Sequence, residues 1–382
     1  MHILIAPNSF KDSLNAEDTA IAIKEGLNQS KLKCTCECFP IGDGGDGTGM
    51  LIIKKCAGEF VSTTTQDALG RKINAQYGLI ENGKTAVIEM ADTSGIRLLK
   101  SDELEPLSAT SFGTGQQIKA ALNKGVTKII IGMGGSATVD GGTGILKALG
   151  IHFLNEQGNE LVMLPSDLIH LDSIDLSGLD ERIMKCELII LCDVENRLLG
   201  EQGAAAVFGP QKGATERDVK MLEAALEKLT QVAIKQTGRD MSTVKYGGTA
   251  GGAAAGLHVF LNAQLINGID YFLQLTDFSS SIENADIVIT GEGSIDEQTL
   301  QGKGPFGVAT IAKKNGIPVI GLAGKVPLKQ NNNLQKYFDV LMSIGNQPSG
   351  LAEALTSTEA NLVRTSRDLG NLLSLRFPKD SY

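Results

Sequence analysis

The chain has 382 residues, 42% of them hydrophobic and 21% charged, with a net charge of −9; that length suffices for two domains and a sizeable core. The acidic balance, the lack of Trp and the few other aromatics exclude a nucleic-acid partner. No apolar run approaches the ~20 residues of a membrane span, so no membrane partner is expected.

The segment MHILIAPNSF has neither a basic n-region nor a signal-length apolar region and reads as a first strand. Six cysteines in a chain this long do not make a disulfide framework. A reduced, cytoplasmic setting is therefore expected. Glycine is abundant, with 45 residues, well above the usual ~7%. The glycines gather at the ends of apolar runs without a period, which points to functional loops.

Residues 2–6 form the first expected strand, and residues 7–14 its loop. Asn15 is placed to cap a helix whose first turn holds Glu17 and Asp18. Residues 34–41 read as a second strand. Cys34, Cys36 and Cys38 then share one face, and small buried side chains explain them better than a metal does. The loop 42–48 carries Asp43 and Asp46 among its glycines and leads into a helix at 50–56. Residues 61–90 alternate as strands do, and Asn82-Gly83 predicts a hairpin between 75–80 and 85–90. Glu89 closes the second arm. A helix runs from Ser111 to Leu122.

The stretch 127–150, TKIIIGMGGSATVDGGTGILKALG, is the centre of the reading. A short buried strand (128–131) runs into a glycine-rich loop (132–142) and then a helix. Such a loop lets backbone approach a ligand, and its N–H groups favour an anion. Ser136, Thr138 and Asp140 add two hydroxyls and a carboxylate, so a phosphate cradle beside an Mg²⁺-holding acid is expected. Gly132-x-Gly134-x-x-Ala137 also matches the dinucleotide fingerprint weakly. Gly141, Gly142 and Gly144 interrupt the helix that fingerprint needs.

Further on, 187–192 reads as a strand that delivers Asp193. Residues 216–235 form an amphipathic helix with Val219, Leu222, Leu226, Leu229 and Val232 on one stripe. Residues 246–257 are again glycine-rich. Strands follow at 286–290, 318–322 and 339–344; after the first come the loop 291–296 and Lys303, and residues 351–375 are helical. The two ends repeat strand, polar glycine loop, helix, whereas the middle contains hairpins. An α/β fold with a parallel-sheet domain from 1–62 and 280–382, discontinuous around an inserted mixed α/β domain at 63–279, accounts for both. Ligands of open parallel sheets bind off the carboxyl ends of the strands, so the active site is expected in a cleft between the two domains.

The recurring inventory is Gly, Asp, Ser/Thr and Lys. HExxH, CxxC and GxSxG are absent, which disfavours zinc hydrolysis and α/β-hydrolase chemistry. Phosphoryl transfer needs this inventory: N–H groups and Lys for phosphates, carboxylates for Mg²⁺, and one acid to accept the hydroxyl proton. Neither a Walker A sequence nor the protein-kinase signatures are present. Two alternatives remain: a nicotinamide-dependent dehydrogenase of a small hydroxy acid, and a nucleotide-binding regulator without catalysis.

The stretches APNSFKDSL (6–14), IGDGGDGT (41–48), AVIEMADTSG (86–95), ATSFGTG (109–115), IIIGMGGSATVDGGTGIL (129–146), CDVENRLLG (192–200), VFGPQKGAT (207–215) and ITGEGSIDEQTLQGKGPFGVA (289–309) together resemble the glycerate kinase type 1 family. The resemblance implies a flavodoxin-like discontinuous domain, ATP and Mg²⁺ as cofactors, and D-glycerate as the small-molecule substrate. It implies 2-phosphoglycerate more strongly than 3-phosphoglycerate as product. On this reading Gly134, Gly135, Ser136, Thr138, Gly291 and Gly293 contact the nucleotide, with Lys303 assisting at the phosphates. Asn8, Ser9, Lys11, Asp43 and Glu89 contact substrate. Asp43, Asp193 and Asp296 are the Mg²⁺ candidates, and Asp193 or Asp296 accepts the proton. Asp46, Val139, Arg197 and Ser294 depart from the family's usual Glu, Asn, Pro and Arg.

Overall fold

The computed structural model describes residues 1–329 and 331–375. The expected 280–382 segment also spans residues 330 and 376–382, which lie outside the described residues. Strands run in chain order as β1 His2–Ile5, β2 Thr35–Cys38, β3 Glu59–Gln66, β4 Lys72–Ile80, β5 Thr85–Glu89, β6 Lys128–Gly132, β7 His152–Leu154, β8 Ser173–Asp175, β9 Glu187–Cys192, β10 Gln264–Asn267, β11 Ile287–Ser294, β12 Val319–Lys325 and β13 Val340–Ser343. The chain divides into two compact units, one made of Met1–Asp43 with the chain from Ile269 onward, the other of Gly44–Gly268. The sequence reading puts the joins at 62/63 and 279/280 instead. The helix Thr48–Lys55 goes with the second unit because Ile53 packs directly over Gly78 of β4.

In the first unit five strands lie in the order β13-β12-β11-β1-β2, every pair parallel. This is the flavodoxin-like order. Central strands of such a sheet are covered on both faces, hence the apolar stretches Ile3–Ile5 of β1 and Ile287–Ile289 of β11. Ile3, Ile5, Ile287, Ile289 and Leu322 join helix residues Ile23, Leu27, Leu362 and Leu369 in one core. The Asn15 cap forms as expected, its Oδ1 accepting the Asp18 N–H at 2.8 Å. Cys34, Cys36 and Cys38 pack against this core, each partly buried. Burial pushes the Cys36 thiol up to about 12, with Cys34 adding to the effect.

The second unit holds a six-stranded sheet, β10-β9-β6-β5-β4-β3, in which β10, β9, β6 and β5 are parallel and β4 and β3 antiparallel. The Asn-Gly hairpin joins β4 to β5, with Asn82 at φ +56°. The amphipathic helix is Glu216–Thr237; a reciprocal Thr215–Asp218 box starts it and Gly238 in the left-handed region ends it. Its Leu222, Leu226 and Leu229 enter the same core as Ile129, Ile131, Ile190 and Ile145. Among the described residues, no helix is long and apolar enough to cross a membrane.

Candidate active site

Two sets of polar groups stand out, one in each unit. In the first unit β1 and β11 are parallel neighbours, so both deliver their loops to one sheet edge. Asn8 follows β1. Its N–H donates to the Gly291 carbonyl at 2.8 Å, and its Nδ2 donates to Asp43 Oδ2 at 2.8 Å. The N–H of Gly304, which opens the helix Gly304–Lys314, donates to the same carboxylate oxygen at 3.3 Å.

Glu292 lies near the end of β11, only 8% exposed, and accepts the Thr299 hydroxyl at 2.8 Å. Burial pushes its carboxyl up to about 7; Lys303 opposes the rise, and Asp43 and Asp296 reinforce it. Asp296 is half-buried, and its Oδ1 accepts the Gln298 N–H at 2.9 Å. Lys303 is the N-cap residue of Gly304–Lys314. The fold thus gathers Asn8, Asp43, Asp296 and Lys303 about Glu292. Ser9 donates its N–H back to Asn8 Oδ1 at 2.8 Å. Lys11 is exposed, on a tight turn closed by the Phe10–Leu14 bridge.

Gly291 and Gly293 lie inside β11 and not in a loop, because the strand continues through Ser294 against β12. Gly291 has a packing reason as well: a Cβ there would run into the Leu322 carbonyl.

In the second unit β6 ends at Gly132 and the next helix, Thr143–Ala148, starts only at Thr143. No helix begins within the dinucleotide-like motif. The intervening loop is pinned by its own backbone. The Gly134 N–H donates to the Gly44 carbonyl at 3.0 Å, Ala137 N–H to the Ser94 carbonyl at 2.8 Å, and Ile96 N–H to the Gly135 carbonyl at 2.8 Å. Gly134 is glycine of necessity, since a Cβ would collide with Gly45. Gly135 is exposed at φ +70°. Among the described residues, the N–H groups of Gly135 and Ser136 find no acceptor.

Asp140 is fully buried and committed to the fold, which corrects its expected role beside a cation. Its Oδ2 accepts from Ser111 N–H (2.8 Å), Ser111 Oγ (2.7 Å) and Gly144 N–H (3.1 Å), and its Oδ1 from Gly142 N–H (3.0 Å). Thr138 is also buried, and among the described residues its hydroxyl has no hydrogen-bond partner. Lys212 reaches this loop from the short turn Pro210–Lys212. Its Nζ donates to Ser136 Oγ at 2.9 Å and to the Thr138 carbonyl at 2.7 Å. Burial pulls the Lys212 ammonium down to about 7 against the opposing charges of Asp140 and Asp193. Asp193 follows β9 and is half-buried. Glu89, ending β5, is 6% exposed and accepts the Gly49 N–H at 2.7 Å. Burial pushes it up to about 8, helped by Asp92 and Asp46 and opposed by that N–H and by Arg97. Arg97 pairs with Asp92 and, at 3.6 Å, with Asp46.

Residues 3–374 match the model of the glycerate kinase family. The chain belongs to the glycerate kinase family. A glycerate kinase of Bacillus subtilis (strain 168) is 41% identical, covering 98% of each chain. A glycerate 2-kinase of Escherichia coli (strain K12) is also 41% identical, again over 98% of each. A crystal structure from Salmonella typhimurium LT2 has a TM-score of 0.80 at 40% identity, over 98% of each chain.

A glycerate kinase is a phosphotransferase, and each set offers part of that chemistry. The acids about Glu292 are hard oxygen donors with like charges crowded together, which suits a divalent cation. Among the described residues, no three acid, His or Cys side chains form a metal cage. Mg²⁺ does not need one, because one or two carboxylates and substrate phosphates usually hold it. The glycine loop offers amides and a hydroxyl suited to phosphate. Sequence reasoning missed Glu292 and Lys212. Both sit in stretches that carry the family resemblance, ITGEGSIDEQ and VFGPQKGAT, and that was the one available signal. Of the departures from the family pattern, Val139 is fully buried in the core and Ser294 Oγ donates to Asp296 at 3.4 Å.

Proposed function

We propose that this protein transfers the γ-phosphoryl group of ATP to D-glycerate, with Mg²⁺, forming 2-phosphoglycerate in preference to 3-phosphoglycerate. The observation that carries the reading is the gathering of Asn8, Asp43, Glu292, Asp296 and Lys303 at one edge of a parallel sheet, in a member of the glycerate kinase family. The name of the Escherichia coli relative, glycerate 2-kinase, supports the choice of hydroxyl.

The residues take roles that their chemistry allows. Gly134, Gly135 and Ser136 offer backbone N–H groups and a hydroxyl to the nucleotide phosphates, and Lys303 is a lysine candidate for phosphate charge. Asp43, Asp193 and Asp296 are the candidates to hold Mg²⁺, which when bound neutralises phosphate charge. Asp296 or Asp193 accepts the proton of the attacking hydroxyl. Lys11 pairs with the glycerate carboxylate or with the transferring phosphoryl group, and Asn8 and Ser9 orient the substrate.

A coupled assay tests this reading. D-glycerate, ATP and Mg²⁺ are supplied, and product is read through enolase and pyruvate kinase with and without phosphoglycerate mutase. Signal without mutase is expected. Signal only with mutase would move the product to 3-phosphoglycerate. No ADP formation in either format would overturn the glycerate reading.

A further inference from the structure

The glycine loop presents an electrostatic puzzle. Residues 132–142 contain no lysine or arginine, and their single charged side chain is Asp140, an acid. A cradle for phosphate built from this segment alone would carry the wrong sign. The fold corrects this from a distant part of the chain. Four donors take up the Asp140 carboxylate, and the Lys212 ammonium is placed against the loop with its side chain almost wholly buried.

With Lys212 protonated, the hydrogen-bond arithmetic fixes the direction of one hydroxyl. An ammonium has three N–H donors and no acceptor, whereas a serine hydroxyl both accepts and donates. Two of the Lys212 donors go to Ser136 Oγ at 2.9 Å and the Thr138 carbonyl at 2.7 Å. Ser136 Oγ is thereby used as an acceptor on the lysine side, so its own O–H must donate elsewhere. Among the described residues no acceptor takes it. The N–H groups of Gly135 and Ser136 stand beside it, also without acceptors among the described residues. Within the same loop the Thr138 hydroxyl is buried and, among the described residues, unpartnered. A hydroxyl that accepts from a cation is a stronger donor, because the bonds polarise one another.

We propose that Lys212 is a positioning residue for nucleotide phosphate: held behind the glycine loop, its protonated form aims the Ser136 hydroxyl at a phosphate oxygen and supplies the positive charge that the loop lacks. The ligand class is a nucleoside polyphosphate. Lys212 acts through Ser136, and its buried ammonium makes no contact with the reacting atoms. This inference rests on the proposed function for its substrate, and it goes further in assigning the origin of phosphate affinity to a lysine outside the loop.

The test compares Lys212→Met and Ser136→Ala with the unmodified protein, using ATP and adenosine as probes in calorimetric binding and ATP and D-glycerate in steady-state kinetics. Lys212→Met should raise the Kd and KM for ATP at least tenfold, while the KM for D-glycerate and the Kd for adenosine stay within about twofold. Ser136→Ala should raise the same ATP constants several-fold, and the double variant should be no worse than Lys212→Met alone. A merely structural lysine would shift adenosine, glycerate and ATP together, and that result overturns the proposal. So does an unchanged ATP constant in Lys212→Met. If Lys212→Met fails to fold, Ser136→Ala decides: selective loss of ATP affinity supports the proposal, and unchanged affinity overturns it. Failure of the glycerate reading is separate, since it would appear as ATP binding by the unmodified protein without glycerate-dependent ADP formation.

Discussion

The two polar sets are built by opposite means. About Glu292, side chains do the work: Asn8, Asp43, Asp296 and Lys303 come from four short segments and surround one buried acid. At residues 132–142 the backbone does it, with the N–H groups of Gly134, Ala137 and Ile96 tying the loop to its neighbours through hydrogen bonds. A side-chain set is tuned by which charges stand near one another. A backbone set is tuned by how closely chains approach. The first should therefore be sensitive to isosteric changes of charge, and the second to the addition of a single carbon.

The largest effect is expected from Asp296→Asn. If Asp296 is the proton acceptor, kcat should fall by ~10²–10⁴ at little cost in stability. Normal kcat would leave Asp193 as the remaining candidate. Next comes Lys11→Ala. Because the side chain is exposed, Tm should hardly move, while kcat/KM for D-glycerate falls by ~10²-fold. Near-normal kinetics would remove Lys11 from the site.

The backbone set is probed by Gly134→Ala. The added Cβ meets Gly45, so urea unfolding should report a loss of ~1–3 kcal/mol. Gly293→Ala is the contrast. Its Cβ would come no nearer than 3.8 Å to the Lys11 backbone nitrogen, and stability should stay within about 0.5 kcal/mol of the parent. Equal losses at both positions would show that close backbone approach does not set the glycine requirement.

The smallest effect is a slope. The Glu89 carboxyl is pushed from an ordinary 4.5 up to about 8 in the folded chain. Below pH 4.5 both states hold the proton. Between there and about 8 the unfolded chain ionises while the folded one keeps its proton, so this group's contribution to stability declines as pH rises. In Glu89→Gln that decline is removed. Tm measured from pH 5 to 8 should therefore fall less in the variant than in the parent, and parallel curves would show that Glu89 ionises normally in the fold.

Much of the molecule was legible in local pattern. The Asn15 cap, the Asn82-Gly83 hairpin and the stripe of Glu216–Thr237 depend on neighbours in sequence, and each formed where the residues put it. The end of β11 was not legible. Gly291 and Gly293 look like loop residues, yet pairing with β12 carries the strand through Ser294. Asp140 looked like a free acid because the sequence does not display the Ser111 donors that satisfy it.

The short strands β7, β8 and β10 were not readable from residue pattern alone, whereas most strands and helices, the glycine loop between 132 and 142, and the family resemblance were. Those follow from periodicity, caps and motifs that act over a few residues. Which groups are buried, and therefore how they are charged, follows from contacts between distant parts of the chain. Glu292 and Lys212 carry an acid and a base that anyone reading the chain would assign ordinary ionisation. Ionisation is set by lost water and by charges near in space, and the Lys212 ammonium meets a hydroxyl 76 residues away along the chain. No local pattern encodes that meeting.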